Sequence, residues 1–511
     1  MKTYNNHINR LLIIALVALS IAINSCSDSF LEVDAKATQI ENNYYKNADE
    51  IWNGVVAAYD PISWEGGTAH TNYCSITSLI AASDEANGGG GSASDVWYLQ
   101  TMNNFTLLDP ANGPQGAYWE KLYAGVYRSC LMLSILNNTN VNDLSNELKY
   151  RYLAELHFLR AYYYFDLVRL FGKIIFYTEP LTPDKMYQQT QVAPSIVYEQ
   201  IEKDLIAAIN ESNLPDKVPA ATEGGRVTKG MAHALLGKVY LYQKKWSQAA
   251  EQLAIVNAEP EQSNRFGYKL LDNFSQIFRP DNQFNSESIL EISHASVGSQ
   301  WSQQYKIEGN MVAMMVSPRS YNGPLYDSGW GGCPIRTEFY NDMKNDPRLD
   351  ATIIDMNKLA TEHGATYSQS YDNTGYFVKK FAALKEFANK GAGPRALNYP
   401  QNYIEIRLAD TYLMEAEAIL ESTNGDANRA LTLLSAVRAR VGLAPVAATL
   451  ENVYNERKLE LATEGHRWYD LVRTGQAPTI LGRNGFVAGK NEVLPIPLEE
   501  MTNTKLEQNN Y

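Results

Sequence analysis

Two stretches of this chain gather flat aromatic rings among carboxylates and amides. In the first, the run Gly88 to Gly91 leads to Trp97 and Tyr98, with Asp84 and Asp95 before the rings and Asn103 and Asn104 after them. In the second, Trp301, Tyr305, Tyr321, Tyr326 and Trp330 punctuate a region rich in Gly, Asn and Ser. Sugars present apolar C–H faces and hydroxyl edges, so rings flanked by acids, amides or guanidinium groups suit a saccharide ligand. Each ring also has a competing reading as core or lobe packing.

Chemistry that would break a bond is harder to find. A glycosidase needs two carboxylates about 5 to 9.5 Å apart across the scissile bond, a separation that sequence does not reveal. No HExxH, GxSxG or GxxxxGK[ST] pattern occurs, and Glu464-Gly465-His466 has no second histidine four residues on. The glycine run has no lysine at phosphate-loop spacing, no segment has the ordered Asp/Asn spacing of a calcium loop, and the seven histidines are scattered. The expectation is a binding protein with no cofactor, no metal and no catalytic residue.

The amino terminus carries an address. Lys2 and Arg10 precede an apolar run from Leu11 to Ile23, too short to span a bilayer, and Ser25-Cys26 offers a lipoprotein cleavage site. Residues 1–25 read as a signal peptide, Cys26 as the lipid attachment point, and 26–43 as a polar tether. The competing reading is an ordinary secretory signal with a chance cysteine. Cleavage removes two positive charges and no negative one, taking the net charge from −13 to −15. So acidic a body argues against nucleic acid as a ligand. With Cys26 acylated, Cys74, Cys130 and Cys333 remain, enough for one disulfide at most.

The elements that would position the rings are helical. Leu156, Leu159, Tyr163, Leu167 and Leu170 recur every three or four residues, and Gly172 follows as a helix-ending residue. Leu236-Gly237-Lys238-Val239-Tyr240 with Ala249 and Pro260 matches elements of a tetratricopeptide repeat, in which Gly237 lets a partner helix approach. Helix pairs are expected near 116–171, 197–256 and 406–441, with a loop-rich insertion over about 260–400, where an irregular stretch is usually functional.

Several segments together resemble the SusD/RagB family of surface lipoproteins. They are the run from Leu159 to Gly172, Glu456-Arg457-Lys458-Leu459-Glu460-Leu461 continuing through Glu464-Gly465-His466-Arg467-Trp468-Tyr469-Asp470, Asp346-Pro347-Arg348, and Leu494-Pro495-Ile496-Pro497 with Gln508-Asn509-Asn510-Tyr511. The resemblance covers the chain from Cys26 to Tyr511. It implies a mostly α fold, a SusD-like domain over 44–511 built as an α-solenoid of tetratricopeptide-type helix pairs with an irregular, loop-rich ligand-binding lobe. It further implies a lipid-anchored, surface-exposed place on the cell outer membrane, with Asp28 similar to a surface-export signal. Such proteins capture oligosaccharide and pass it to a SusC-like TonB-dependent transporter. The family's glycan platform draws on an N-terminal loop and the middle region, which makes Trp97, Tyr305 and Trp330 the leading positions and Asp84, Tyr98, Asn103, Trp301 and Tyr321 further candidates. The alternative is a tetratricopeptide-type interaction scaffold or peptide-binding lid without sugar. The motif residues themselves read as structural: Asp166 and Arg169 can pair, Arg160 needs a buried acid or carbonyl, and Glu456, Glu460 and Glu464 lie near arginines.

Overall fold

The computed structural model describes residues 44–64, 75–260, 262–301, 308–502 and 504–511. Cys26, the tether 26–43, Cys74 and Tyr305 lie outside them. The principal helices are α1 (Ala48–Tyr59), α2 (Gln115–Asn138), α3 (Asn146–Phe171), α4 (Pro194–Asn210), α5 (Lys229–Tyr242), α6 (Trp246–Asn257), α7 (Leu408–Glu421), α8 (Ala427–Ala439) and α9 (Leu450–Glu460). Each from α1 to α8 packs on the next, so the stack is continuous from α6 to α7 although 150 residues intervene. Asn257, at the end of α6, secures that junction by donating Nδ2 to Thr411 O at 2.9 Å and Glu415 Oε2 at 2.7 Å. The intervening chain leaves and rejoins the stack through a short antiparallel pair, β1 (Ser288–Ile292) with β2 (Tyr403–Arg407).

α3 shows why the strongest motif reads as it does. Ser145 caps its start by accepting from Leu148 N, and Gly172 ends it at φ +71°. The periodic leucines are buried, and so are Tyr162, Tyr164 and Phe165 on its other sides. The helix is enclosed all round, more fully than a single apolar stripe predicts. Arg160 is therefore buried and finds its acid on α4: Nε and Nη2 donate to the two oxygens of Asp204 at 2.8 Å each, and Nη1 to Thr178 O at 2.9 Å. Arg169 pairs with Asp166 and lies 3.9 Å from the ring centre of Tyr469.

Gly237 does what its repeat motif requires. A Cβ there would fall 2.6 Å from Leu253 Cγ on α6. Gly237→Ala should lower the melting temperature, with overpacking of about 1–3 kcal/mol outweighing the roughly 1 kcal/mol gain in helix propensity. A raised melting temperature would show that α5 and α6 part freely.

The Asp346-Pro347-Arg348 motif and the glutamates of the Glu456–Glu464 motif converge on one buried ionic cluster. Arg407, fully enclosed at the end of β2, donates Nε to Glu464 Oε2 at 2.7 Å, Nη1 to Glu287 Oε1 at 2.8 Å and Glu460 Oε1 at 2.6 Å, and Nη2 to Glu460 O at 2.7 Å. Arg440 binds Glu287 and Glu460, Lys380 binds Glu464 at 2.7 Å, and Arg348 binds Asp346, Glu456 and Glu460. Stack, strand pair and insertion meet there. Cys130 and Cys333 are buried and unpaired. No described helix is long and apolar enough to cross a membrane.

Candidate functional site

The insertion brings two of its rings together at the surface. Past β1 the chain loops out and returns where Ala295 N donates to Glu308 O at 2.7 Å. Trp301 lies on this loop, 43 % exposed. Asn398, itself fully buried, fastens the loop to the segment opposite: its Oδ1 accepts from Gly298 N at 2.9 Å and Ser299 N at 2.8 Å, and its Nδ2 donates to Ser299 O at 3.0 Å and Pro394 O at 2.8 Å. Trp330 arrives from a different segment, held by N–H donation to Met314 O at 2.8 Å. Its half-buried ring rests on a cluster that includes Ala313, Met314, Ala396 and Tyr399. The two indoles stack with centroids 6.3 Å apart and planes 27° apart.

Polar groups flank this pair. Buried Asp327 accepts from the Tyr399 hydroxyl and, at 2.6 Å, from Arg395 Nη1, and the Arg395 side chain is 57 % exposed. Arg395 directly precedes Ala396 of the cluster beneath Trp330. The surface thus combines ring faces with a fixed guanidinium, a set that stacks on C–H faces and takes hydroxyls at the edge.

The glycine run, buried over Gly88 to Gly90, backs the same surface from the N-terminal side. Gly90 N donates to Gly331 O at 2.9 Å, Cys333 N to Gly88 O at 3.1 Å and Asn87 N to Pro334 O at 2.9 Å. At Gly89, φ is +75° and a Cβ would lie 2.4 Å from Gly331 O, so the close backbone approach demands glycine. Tyr371, 39 % exposed, extends the layer by donating its N–H to Gly90 O at 2.9 Å.

The other candidates fall elsewhere. Trp97 is 42 % exposed but lines a separate depression of about 400 Å³ with Pro110, Gln115, Pro497 and Leu498. Tyr98 is buried edge-on behind it. Tyr321 and Tyr326 are buried edge-to-face with centroids 5.6 Å apart, in a cluster with Ile354 and Phe377. None of these three tyrosines has a ring face open to a ligand, which corrects their place among the candidates: they pack the lobe. Asp84 is likewise structural, since Arg467 Nε binds it at 2.8 Å. Burial alone would raise its pKa, and Arg467 holds it below the usual carboxylate range. Asn103 spends its Nδ2 on Ala81 O and Ala86 O. Nothing in the sequence marks Tyr371, Arg395 or Asn398: the first two are common surface types, and no neighbour of Asn398 signals a side chain that binds main chain.

Beneath the glycine run lies Glu85, buried, with Thr463 N as a donor at 3.2 Å. Burial, reinforced by the charge of Asp84, pushes its pKa up to about 8. A raised carboxyl stabilises the fold fully below its unfolded pKa of about 4.3 and loses that contribution as pH rises through the folded value. Melting curves should fall between pH 5 and 9, and Glu85→Gln should flatten the fall by a few kcal/mol, on the order set by such a shift. Parallel curves for both proteins would contradict a neutral Glu85.

A solved laminarin binding SusD-like protein is 44 % identical to this chain and superposes with a TM-score of 0.86, covering 91 % of this chain and 100 % of that one. The chain belongs to the SusD family. Residues 286–511 match the family described as SusD, and residues 29–241 match one described as starch-binding, associating with outer membrane. Surface glycan-binding protein A from Bacteroides thetaiotaomicron, solved in complex with laminarihexaose, is 28 % identical with a TM-score of 0.82 over 91 % of this chain and 100 % of that one. SusD-like protein P25 of Formosa agariphila is 26 % identical over 530 residues, 96 % of each chain. The first of these SusD relatives is named for binding laminarin and the second for binding surface glycan. Its mostly helical solenoid with a loop-rich lobe is the fold that the motifs imply.

Proposed function

We propose that this SusD family member is a cell-surface lipoprotein that captures a laminarin-type oligosaccharide on Trp301 and Trp330 and passes it to a TonB-dependent transporter in the outer membrane. The observation that carries the reading is the stacked, solvent-facing indole pair, present in a chain 44 % identical to a laminarin binding protein. Tyr371 and Arg395 supply a further ring and a hydroxyl-binding edge, and Tyr305 lies in sequence between Trp301 and the loop's return at Glu308. Acyl chains on Cys26 would hold the body at the membrane, each buried methylene adding about 0.8 kcal/mol. Trp97, apart from the pair, is not assigned to this surface.

Calorimetric titration tests it. Laminarihexaose should bind, with cellohexaose and maltohexaose, glucose oligomers of other linkage, binding more weakly. If none of the three gives heat, the sugar reading falls and the interaction scaffold replaces it. Mass spectrometry of the membrane-extracted protein should find an acylated amino-terminal Cys26, and mild-detergent purification should bring the transporter with it.

A further inference from the structure

The glycine run connects the indole pair to a second feature, an open cleft of about 730 Å³ whose lining includes Asn87, Asn104, Arg336, Asn373, Arg483 and Asn484 and no aromatic residue. The connection is a three-segment layer. Residues 86–90 pair antiparallel with 331–335, through bridges Ala86 to Ile335 and Gly89 to Gly332. Trp330 precedes one end of that ladder and Arg336 follows the other. The third segment runs alongside in the same order: Tyr371 N donates to Gly90 O at 2.9 Å, Asp372 O accepts from Asn87 Nδ2 at 3.1 Å, and Thr374 Oγ1 donates to Ile335 O at 2.6 Å. From Gly331 to Ile335 the ladder spans at most about 13 Å at roughly 3.3 Å per residue, a distance that a few linked sugars cover.

Two groups in the cleft have hydrogen-bonding capacity unspent. Arg336 is anchored by Nε donation to Ala86 O at 3.1 Å, and no carboxylate among the described residues forms an ion pair with it. Asn373 donates Nδ2 to the Tyr367 hydroxyl at 3.1 Å, while its buried Oδ1 has no hydrogen-bond partner in the protein. Amides and guanidinium groups without a ring recognise hydroxyl edges and do not stack.

Building on the glycan reading of the indole pair, we infer that this cleft is a second subsite of the same path, taking the hydroxyl groups of sugar residues further along a chain whose nearer residues stack on Trp301 and Trp330. Such a protein favours long chains over short ones, because only a long chain engages both places. The test is calorimetry with laminaritriose and with laminarin itself, on wild type, Asn373→Ala and Arg483→Ala, the latter at the exposed rim, where it is paired only loosely, at 3.4 Å, with exposed Glu338. Laminarin should bind each variant roughly three- to tenfold more weakly, the worth of one lost hydrogen bond, with laminaritriose unchanged. Unchanged laminarin affinity in both folded variants overturns the inference, and so does equal weakening of triose and polymer. The indole reading fails separately: it is lost if Trp330→Ala keeps its triose affinity, whatever the cleft variants do.

Discussion

Arg407→Met should cost about 3–5 kcal/mol of stability, the largest effect of any single substitution proposed for this protein. The guanidinium pairs with three enclosed carboxylates from two parts of the chain, Glu287 before β1, and Glu460 ending α9 with Glu464 just beyond it. Methionine fills much of the volume but leaves those acids short of a counter-charge, and each must then stay ionised in a low-dielectric site or take a proton. Burial alone would raise the Glu460 carboxyl, yet Arg440, Arg407 and Arg348 together hold it well below its ordinary value. A depressed carboxyl stabilises above its unfolded pKa and loses that contribution as pH falls through the folded one, so the cluster should fail in acid, below about pH 4. Chemical denaturation at pH 7 measures the loss. Glu199→Ala is the comparison, because its pair with Lys203 is solvent-exposed and contributes little to stability. Equal small effects for the two variants would show that the cluster is not a keystone of the fold.

Trp330→Ala should weaken laminarihexaose binding by roughly ten- to a hundredfold, about 1.4–2.8 kcal/mol, in the range of an interface hot spot. The loss has two sources: the stacking face itself, and the support that Trp330 gives to Trp301 at 6.3 Å. Trp301→Ala should cost less, since Trp330 remains seated on its alanine and methionine cluster. Trp330→Phe should recover part of the affinity by restoring a ring of smaller area. Near-equal melting temperatures across the three variants separate binding from folding, and unaltered affinity of folded Trp330→Ala would remove the pair from the site.

The helical part of this molecule was legible because its signals are local. Leucines every three or four residues specify α3, and Gly237 opposite Leu253 specifies a helix contact that its neighbours in sequence already announce. The motif arginines and glutamates were legible in kind, as residues needing partners, although which acid meets which base emerges only when β2, α9 and the insertion meet. Ring faces are a different matter. Trp301 and Tyr321 look alike in a polar, glycine-rich stretch, but one is exposed and the other sits in a small core with Phe377. A residue type and a region do not encode exposure, because exposure depends on which distant segment closes over the ring. The polar environment of Asp84 misled in the same way, since its arginine lies 383 residues away.

Asn398 grips only main-chain atoms of the Trp301 loop and of Pro394. A clasp of that kind is indifferent to which side chains the loop displays. Mutation is therefore free to exchange Trp301 for another residue, and with it the chemistry this edge of the lobe displays, while the clasp beneath stays as it is.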